Sequence, residues 1–511
     1  MLLLLIDNNK DKMKQILTLS ENHNPNYVCY VTKIKELIPI EGAQTLVKTV
    51  VEGFDTVVSK DMKVGDIVLY FPVECQINKD FLAANNLFEF SLHSWNANAM
   101  VVDKWLSQAD EKENDEGNKE GADELRAQAK RMCGFFNKHG RVRCINLMKN
   151  PSQGFVIPVD SLAKWKPDLA SIDWNEYIEK TFDTIDGELF VKKYIKFAPV
   201  SKPNDGTRNE RKRNKKLKKF DRLVEGQFEF HYDTQQLPPN IWKISPKSII
   251  HISKKVHGSS FIVARILCNR KLTLFEKVKK FFFGCNIKAK EYGNIYSSRS
   301  VIKNRYLNPN ANDFYGVDIW KVASDLFYPY LDDGMTVYGE IAGYIPNSQK
   351  MIQKDYDYGC KPGETKFMPY RITMVQENGE THEWNASEVL AWTLKFIEEH
   401  PEHASKILPM TEFYHEEAKD LYPDIDTENH WHENVLARMK LDERFNMEKN
   451  EPACWHKVPA EGIVVKIDDD PKAEAWKLKC QNFYRKETSE LDKGEVDIET
   501  QESEGGQVDE N

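Results

Sequence analysis

Residues 248–258 read Ser-Ile-Ile-His-Ile-Ser-Lys-Lys-Val-His-Gly and end in a Lys-x-x-Gly motif. The isoleucine-rich part predicts a β-strand that carries Lys255 into a cleft. Gly258 lets the turn after it pass close to a phosphate, because glycine has no Cβ. Lys254 is a rival for the same role, but the third residue after it is His257 instead of glycine. Alone, Lys-x-x-Gly is weak evidence, since both residues are common in a chain of 511 residues.

Five further short motifs follow this one in a fixed order. They are Ser298-Arg299-Ser300, Tyr338-Gly339-Glu340, Pro369-Tyr370-Arg371, Glu461-Gly462-Ile463-Val464-Val465-Lys466 and Lys477-Leu478-Lys479. Taken singly, each is more simply interpreted as core packing or as the polar face of a strand. Those interpretations do not explain the common order, which indicates covalent transfer of a nucleotide.

The chemistry of nucleotide transfer explains why a lysine heads this series. The nucleophile must also be a good leaving group after it has been phosphorylated, and a neutral lysine amine that forms a phosphoramidate meets this need. Lys255 is the predicted nucleophile. To react near pH 7 its pKa must be depressed, and neighbouring cations together with a bound metal ion could do this.

Charged residues in the last two motifs predict a site for a metal ion and phosphates. Glu461 offers the hard oxygen ligand by which Mg²⁺ or Mn²⁺ is usually held, with water filling the remaining positions. The β run after it ends in a second cation, Lys466. Lys477 and Lys479 alternate along one predicted strand, so both ammonium groups face the same side and can neutralise a triphosphate.

Two central motifs predict contacts to the nucleoside. Glu340 follows the β-rich run 335–337 and is well placed to accept hydrogen bonds from ribose hydroxyls. Tyr370 offers an aromatic face on which a base can stack, and Phe367 is the alternative for that role.

The composition predicts a soluble protein with more than one hydrophobic core. Of the 511 residues 41% are hydrophobic, and no segment approaches the roughly 20 apolar residues of a membrane helix. The apolar residues 1–6 end at Asp7, too early for the core of a signal peptide. Nine scattered cysteines without a Cys-x-x-Cys pair predict neither a disulfide framework nor a zinc ribbon. We therefore expect an intracellular protein.

Charge is distributed unevenly around the net value of −9. Seven of the nine residues 211–219 are basic, whereas residues 486–511 are rich in acids. The acidic segment predicts a disordered tail. The basic run is open to three interpretations: a solvated linker, a contact to nucleic-acid phosphates, or a nuclear-localisation signal in an otherwise cytoplasmic protein.

The periodicity divides the chain into five predicted segments. Short β-rich runs in residues 25–198 predict an antiparallel OB-fold-like β-barrel that binds nucleic acid, with a charged insertion near 106–136. Residues 224–485 alternate β runs with helical stretches and predict an α+β domain with a mainly helical insertion near 378–450. An N-terminal segment, a basic linker and the acidic tail complete the chain: residues 1–24, 199–223 and 486–511.

The motifs resemble those of the covalent nucleotidyltransferases, the superfamily of polynucleotide ligases and capping enzymes. The histidine of Lys255-Val-His257-Gly258 and the element Ser298-Arg299-Ser300 are similar to RNA ligases within it. The likeness extends to nick-sealing, ATP-dependent RNA ligases with an N-terminal OB domain. Segments that resemble this group are Lys63-Val-Gly-Asp66-Ile-Val, Ser152-Gln-Gly154, Tyr358-Gly-Cys360 and Tyr370-Arg-Ile-Thr373.

The resemblance implies an RNA ligase with an ATP-grasp-like nucleotidyltransferase core. Lys255 would attack the α-phosphate of ATP and become AMP-lysine. The AMP would pass to a 5′-phosphate, and the adjacent 3′-OH would displace it to seal a nick in an RNA-containing duplex. The implied roles are ribose binding by Glu340, adenine stacking by Tyr370, nucleotide binding by Gly258 and Lys466, phosphate contact by Lys477 and Lys479, metal binding by Glu461, and orientation of the nucleotide or strand ends by Arg299 and His257.

The chain departs from this family in three respects. The insertions near 106–136 and 378–450 make it much longer than a minimal member. Relatives often carry an acid where this chain has Lys254, which could alter adenine contacts or help to depress the pKa of Lys255. Only the acidic tail follows the Lys477-Leu478-Lys479 motif, so we expect no C-terminal OB domain of the kind that DNA ligases and capping enzymes use. Two alternatives stay open: a guanylyltransferase or DNA ligase of the same superfamily, and a nucleic-acid-binding protein with a catalytically inert core.

Overall fold

In the computed structural model the chain divides into two units, residues 1–194 with 484–489 and residues 195–483 with 490–511. The structure describes residues 16–114, 117–196, 222–273, 289–304, 317–468 and 474–495, together with residues 275, 276, 278 and 282. The basic run 211–219 and most of the acidic tail lie outside the described residues. Of the helices in these ranges, none is long and apolar enough to cross a membrane.

The first unit consists mainly of short strands. They are β1 (Leu17–Thr18), β2 (Cys29–Lys33), β3 (Ile38–Pro39), β4 (Leu46–Val51), β5 (Phe54–Ser59), β6 (Ile67–Phe71), β7 (Cys75–Ile77), β8 (Cys144–Leu147), β9 (Asn150–Gln153), β10 (Phe155–Pro158), β11 (Thr181–Phe182), β12 (Thr184–Ile185), β13 (Glu188–Leu189) and β14 (Val191–Lys193). The helices are α1 (Lys79–Ala84), α2 (Ala99–Asn114), α3 (Lys119–Arg131) and α4 (Ser161–Trp165). In the hairpin of β4 and β5 every second residue is buried, as expected for strands with one face on a core.

The strands of this unit pair in five small sheets. Their orders are β1-β12-β13, β10-β6-β2-β11, β14-β7, β3-β4-β5 and β8-β9. The mixed α and β class is confirmed, but the predicted closed barrel is not, because none of the pairings among the described strands completes a ring. Where β5 meets β9, the amide of Val57 donates to the side-chain hydroxyl of Ser152 at 3.1 Å instead of to a backbone carbonyl. A side-chain link replaces the backbone ladder at this point.

Helices α2 and α3 occupy the stretch predicted as a charged insertion. They bury small or β-branched residues such as Val102 and Ala122. Arg126 on α3 forms salt bridges with Asp110 and Glu113 on α2, at 2.8 and 2.6 Å. These ion pairs are solvent-exposed, so the helix pair is held chiefly by its small buried seam.

The second unit contains two five-stranded sheets. Its strands are β15 (Gln235–Gln236), β16 (Ile249–Lys255), β17 (Ser259–Asn269), β18 (Lys290–Ser297), β19 (Met335–Gly343), β20 (Thr365–Val375), β21 (Thr381–Glu383), β22 (Glu412–Glu417), β23 (Gly462–Ile467) and β24 (Ala475–Lys479). Its helices are α5 (Ile319–Phe327), α6 (Ala386–Glu399), α7 (Trp431–Leu441) and α8 (Gln481–Lys493), although residues 484–489 of α8 are grouped with the first unit. The strand orders are β15-β24-β23-β16-β22 and β18-β17-β19-β20-β21.

Each of these sheets has its own apolar core. Strand β19 is buried along its whole length, and Phe261 of β17 stacks on Phe327 of α5 at 5.6 Å between ring centroids. The other sheet packs Ile252, Val465 and Trp476 into a cluster that includes residues of α7. The region 378–450 is less helical than expected, since it supplies β22, which pairs antiparallel with β16.

Candidate active site

Alternation along β16, β23 and β24 places four lysines on one face of their sheet. The intervening apolar residues point into the core, so Lys255, Lys466, Lys477 and Lys479 point the other way. The register aligns Lys255 with Gly462 and Gly462 with Lys479 across the three strands. Residues that pair directly across strands share a face, so Lys255 and Lys479 flank the glycine on the same side.

Two lysines and a histidine converge on the buried carboxylate of Glu461. Lys255 Nζ lies 3.0 Å and Lys479 Nζ 3.5 Å from Glu461 Oε1. His257 Nδ1 lies 3.6 Å from Oε2 of the same residue. The first motif and the last two therefore meet at one acid.

Gly462 makes this convergence sterically feasible. Its φ of 139° is unfavourable for any residue with a Cβ. A Cβ there would lie 2.1 Å from the carbonyl oxygen of Leu478 and 2.8 Å from Cα of Lys479. The glycine after Glu461 thus allows β23 to start in close contact with β24.

Charge interactions set the protonation of this cluster. Burial alone would raise the pKa of Glu461, but Lys255, Lys479 and His257 lower it to about 2. Burial lowers the pKa of Lys255, but the carboxylates of Glu461 and Glu340 outweigh that effect and leave it above its ordinary value. The side chains alone therefore keep Lys255 charged, and the depression that the chemistry requires needs another group to neutralise the carboxylates.

Glu461 also fits a divalent cation. Its Oε2 is buried and accepts no hydrogen bond from the described residues. Within those residues no group of three or more His, Cys, Asp or Glu is arranged to hold a metal ion by itself. A single carboxylate suits Mg²⁺ or Mn²⁺ when water and phosphate oxygens supply the remaining ligands.

The turn after Lys255 is packed against Glu340. The amide of Gly258 donates to Glu340 Oε1 at 2.9 Å, and Ser260 Oγ lies 3.5 Å from Oε2. A Cβ on Gly258 would lie 2.2 Å from the carbonyl oxygen of Ile341. Gly258 is thus required because the turn lies close to the neighbouring strand β19. Glu340, the predicted ribose ligand, also holds this turn in place.

His257 is held by three aromatic residues. Its amide donates to the hydroxyl of Tyr358 at 2.7 Å. Its ring makes edge contacts with Tyr356 and Phe483, at 4.9 and 5.0 Å between centroids. Tyr358 is buried and has a φ of 46°, which is unusual for a large side chain and indicates a constrained segment. The sequence marked Tyr358 as a motif residue but not as a partner of His257.

Lys477 and Arg299 meet at an acid that the sequence analysis missed. Lys477 Nζ lies 3.0 Å and an Arg299 guanidinium nitrogen 2.8 Å from Asp233 Oδ1. Burial lowers the pKa of Lys477 to about 8, although Asp233 opposes this shift. Asp233 lies outside the strands and helices, in a segment without periodicity, so no pattern marked it.

Lys466 belongs to a separate group of charges. Its Nζ donates to the carbonyl oxygen of Trp384 at 2.9 Å and lies 3.5 Å from Glu383. Glu383 also pairs with Arg371, whose guanidinium lies 4.3 Å from the ring centroid of Tyr338. Burial lowers the pKa of Lys466. This lysine shares the face of the cluster but does not contact Glu461.

The predicted base-stacking residues differ in accessibility. Tyr370 is partly exposed, and its ring centroid lies 5.5 Å from that of His231. Phe367 is 1% exposed and packs edge-on against Phe261 in the core. Tyr370 therefore has a surface for a base, and the alternative residue Phe367 does not.

Lys254 points away from the cluster. Its Nζ lies 2.5 Å from Oε1 of Glu451, which is completely buried. Because successive residues of β16 face opposite sides, Lys254 cannot enter the face that carries Lys255. The structure thus separates the two rival lysines, because Lys254 pairs with Glu451 and Lys255 pairs with Glu461.

No protein-family model matches this sequence, and no curated protein sequence matches it. Several solved structures of an RNA ligase from Naegleria gruberi are similar to it. A mutant with ATP and Mn has 16% identity and a TM-score of 0.49, over 91% of this chain and 99% of that one. The same protein with PPi has 16% identity and a TM-score of 0.48, over 90% and 98% of the two chains.

Proposed function

We propose that this protein is an ATP-dependent RNA ligase that forms a lysyl-AMP intermediate at Lys255. The observation that carries the proposal is the convergence of Lys255, His257 and Lys479 on Glu461, beside a turn fixed by Glu340. A nucleophilic amine, an acid for a metal ion and cations for phosphates are the groups that nucleotide transfer needs. They come from three neighbouring strands of one sheet.

In the first step Lys255 would attack the α-phosphate of ATP. The bond between Nζ and phosphorus forms as the bond from that phosphorus to pyrophosphate breaks, and pyrophosphate leaves. Lys479, Lys477 and Arg299 are cations that can neutralise charge on the phosphates. In the structure Lys477 and Arg299 are paired with Asp233. The triphosphate would replace the Asp233 carboxylate as the partner of these two cations.

The amine of Lys255 must first lose a proton. Glu461, whose pKa is about 2, is too weak a base to accept it near pH 7. Glu461 acts instead as an oxygen ligand, and a divalent cation bound there would supply positive charge beside the amine and the phosphates. Once the cation neutralises the carboxylate of Glu461, burial would lower the pKa of Lys255.

The later steps would use the lysyl-AMP to join RNA. The AMP passes to a 5′-phosphate at a nick, and the adjacent 3′-OH then attacks that phosphate and releases AMP. Tyr370 would stack on the adenine and Lys466 would support nucleotide binding. We further propose that the first unit, whose strands pair in small antiparallel sheets, is an OB-fold-like domain that binds the RNA-containing duplex.

The test is covalent labelling with α-³²P-ATP in the presence of Mg²⁺ or Mn²⁺, followed by denaturing electrophoresis. The wild type should carry label that is lost in acid, as expected for a phosphoramidate, and Lys255→Ala should carry none. The exposed lysine Lys247 provides the matched control, since Lys247→Ala should label like the wild type. Because the purified protein could already hold AMP, each sample is also treated with pyrophosphate before labelling.

Labelling, sealing and binding assays distinguish the alternatives. Labelling by α-³²P-GTP in place of ATP would indicate a guanylyltransferase. Sealing that is indifferent to the 2′-OH of the 3′-OH strand would indicate a DNA ligase. Binding of nicked duplex without any label after pyrophosphate treatment would indicate an inert binder, and it would refute the proposed function.

A further inference from the structure

The loop of residues 451–461 ends at Glu461 of the candidate site and carries an exposed aromatic side chain. Three successive residues at its tip, Trp455, His456 and Lys457, are exposed, and 61% of the surface of Trp455 is accessible. Single exposed aromatic residues are common on proteins. What distinguishes this one is how firmly its backbone is held.

Two consecutive lysines hold the ends of this loop. Lys254 pairs with Glu451 at its first residue, and Lys255 pairs with Glu461 at its last. Both lysines belong to β16. The loop is therefore tied at each end to the strand that carries the candidate nucleophile.

A buried carboxylate holds the tip itself. Asp357 is completely buried and accepts hydrogen bonds from the amide of Trp455, at 3.0 and 3.1 Å, and from Nδ1 of His456 at 2.9 Å. Tyr356 donates its hydroxyl to the carbonyl oxygen of Pro459 at 2.8 Å. Burial of a carboxylate is costly unless hydrogen bonds compensate it, and here the backbone amide of Trp455 and the side chain of His456 supply such bonds.

The same segment also holds the turn that follows the nucleophile. Tyr358, next to Asp357, accepts the amide hydrogen bond of His257. Residues 356–358 thus fix the position of Trp455 and the position of the Lys255 turn together. An aromatic side chain carried on a backbone fixed in this way can register a second reactant against the nucleotide.

The charges around the tip indicate what that reactant is. Lys457 at the tip and Lys449 just before the loop are exposed cations. Lys366 Nζ donates to the carbonyl oxygen of Tyr358 at 3.2 Å, close to the base of the tip. An exposed aromatic ring on a segment that also carries cations suits a nucleotide, whose base stacks on the ring while its phosphate meets a lysine.

We propose that Trp455 stacks on a base next to the break in the RNA-containing substrate and that Lys457 contacts the adjoining phosphate. This inference rests on the proposed function and adds to it a contact with the strand end. It assigns no role to Trp455 in the reaction with ATP. A substitution of Trp455 should therefore affect binding of the RNA-containing duplex without affecting the reaction with ATP.

The experiment compares the full-length wild type with Trp455→Ala, Trp455→Phe and Trp242→Ala. Trp242 is the matched control, because it lies in the same unit and is 66% exposed. The probe is a nicked duplex with a pre-adenylylated 5′ end and 2-aminopurine beside the nick. Binding is measured by anisotropy, stacking by quenching of 2-aminopurine, and lysyl-AMP formation by labelling with ATP alone.

Trp455→Ala should bind the nicked duplex roughly 5- to 100-fold more weakly and lose the quenching, because a base stacked on an aromatic ring contributes on this scale. Its labelling by ATP should equal that of the wild type, Trp455→Phe should recover most of the binding, and Trp242→Ala should show no change. Binding and quenching by Trp455→Ala equal to the wild type would overturn the inference. A parallel loss of labelling would overturn it too, since Trp455 would then be structural. Absence of lysyl-AMP in the wild type would instead refute the proposed function, while the quenching comparison would still decide whether the base stacks.

Discussion

Replacement of Gly462 by alanine would test the close contact on which the cluster depends. The new Cβ would lie 2.1 Å from the carbonyl oxygen of Leu478, so β24 must retreat by more than about 1 Å to reach the 3.4 Å at which ordinary contact begins. A non-glycine residue in so unfavourable a backbone conformation costs about 1–3 kcal/mol. Overpacking costs about 1–3 kcal/mol more. We therefore expect Gly462→Ala to lower the free energy of unfolding by about 2–6 kcal/mol.

The same shift should affect the chemistry. Lys479 is next to Leu478 and would move away from Glu461, and a misplacement of about 1 Å in an active site can cost on the order of 100-fold in rate. Urea unfolding and single-turnover labelling by ATP would measure the two effects. Gly363→Ala is the control, because Gly363 also has a positive φ, 85°, but a Cβ there would meet nothing nearer than 3.5 Å. Equal losses in the two variants would refute the argument from close contact.

Three further predictions concern charged groups. Asp233 raises the pKa of Lys477, so Asp233→Asn should lower that pKa below about 8. Lys477 would then lose its charge at lower pH, and the alkaline decline of the labelling rate should move to lower pH as well. An unchanged pH–rate profile would contradict the pairing. Burial would raise the pKa of Asp357, but hydrogen bonds from His456 and from backbone amides outweigh it and lower that pKa. The ionised Asp357 should therefore contribute its full stabilisation of the folded protein above about pH 4 and lose it at lower pH. Thermal unfolding of Asp357→Asn should accordingly depend less on acid than that of the wild type. EDTA should abolish labelling of the wild type, and added Mg²⁺ or Mn²⁺ should restore it. In Glu461→Gln the added metal ion should not restore labelling. Full restoration in that variant would exclude Glu461 as a metal ligand.

The sequence predicted those parts of the site that follow from strand alternation. Lys477 and Lys479 share a face because they are two residues apart, and Lys254 and Lys255 do not because they are adjacent. The order of the motifs assigned Glu461 and Lys255 to one reaction, and in the structure Lys255 Nζ lies 3.0 Å from Glu461 Oε1. The roles assigned to these residues remain predictions.

Other features left no pattern in the sequence. Strand β22 reads Glu-Phe-Tyr-His-Glu-Glu, which lacks apolar alternation because it lies at the edge of its sheet and buries little. Asp233 lies in a segment without regular structure, and the φ of Tyr358 depends on its tertiary contacts. Closure of the predicted barrel depended on pairings between distant strands, which the spacing of short β runs does not determine.

The adjacent lysines of β16 make the function of this protein sensitive to a slip in strand register. If β16 moved by one residue against its neighbours, Lys254 would enter the face now occupied by Lys255, and Lys255 would be left towards Glu451. A lysine would still point into the cleft, but without glycine three residues later to make the turn. Such a slip would also remove Ile250 and Ile252 from the core. Their burial therefore fixes the register of β16, which determines that Lys255 and not Lys254 faces the cleft, and it stabilises the sheet as well.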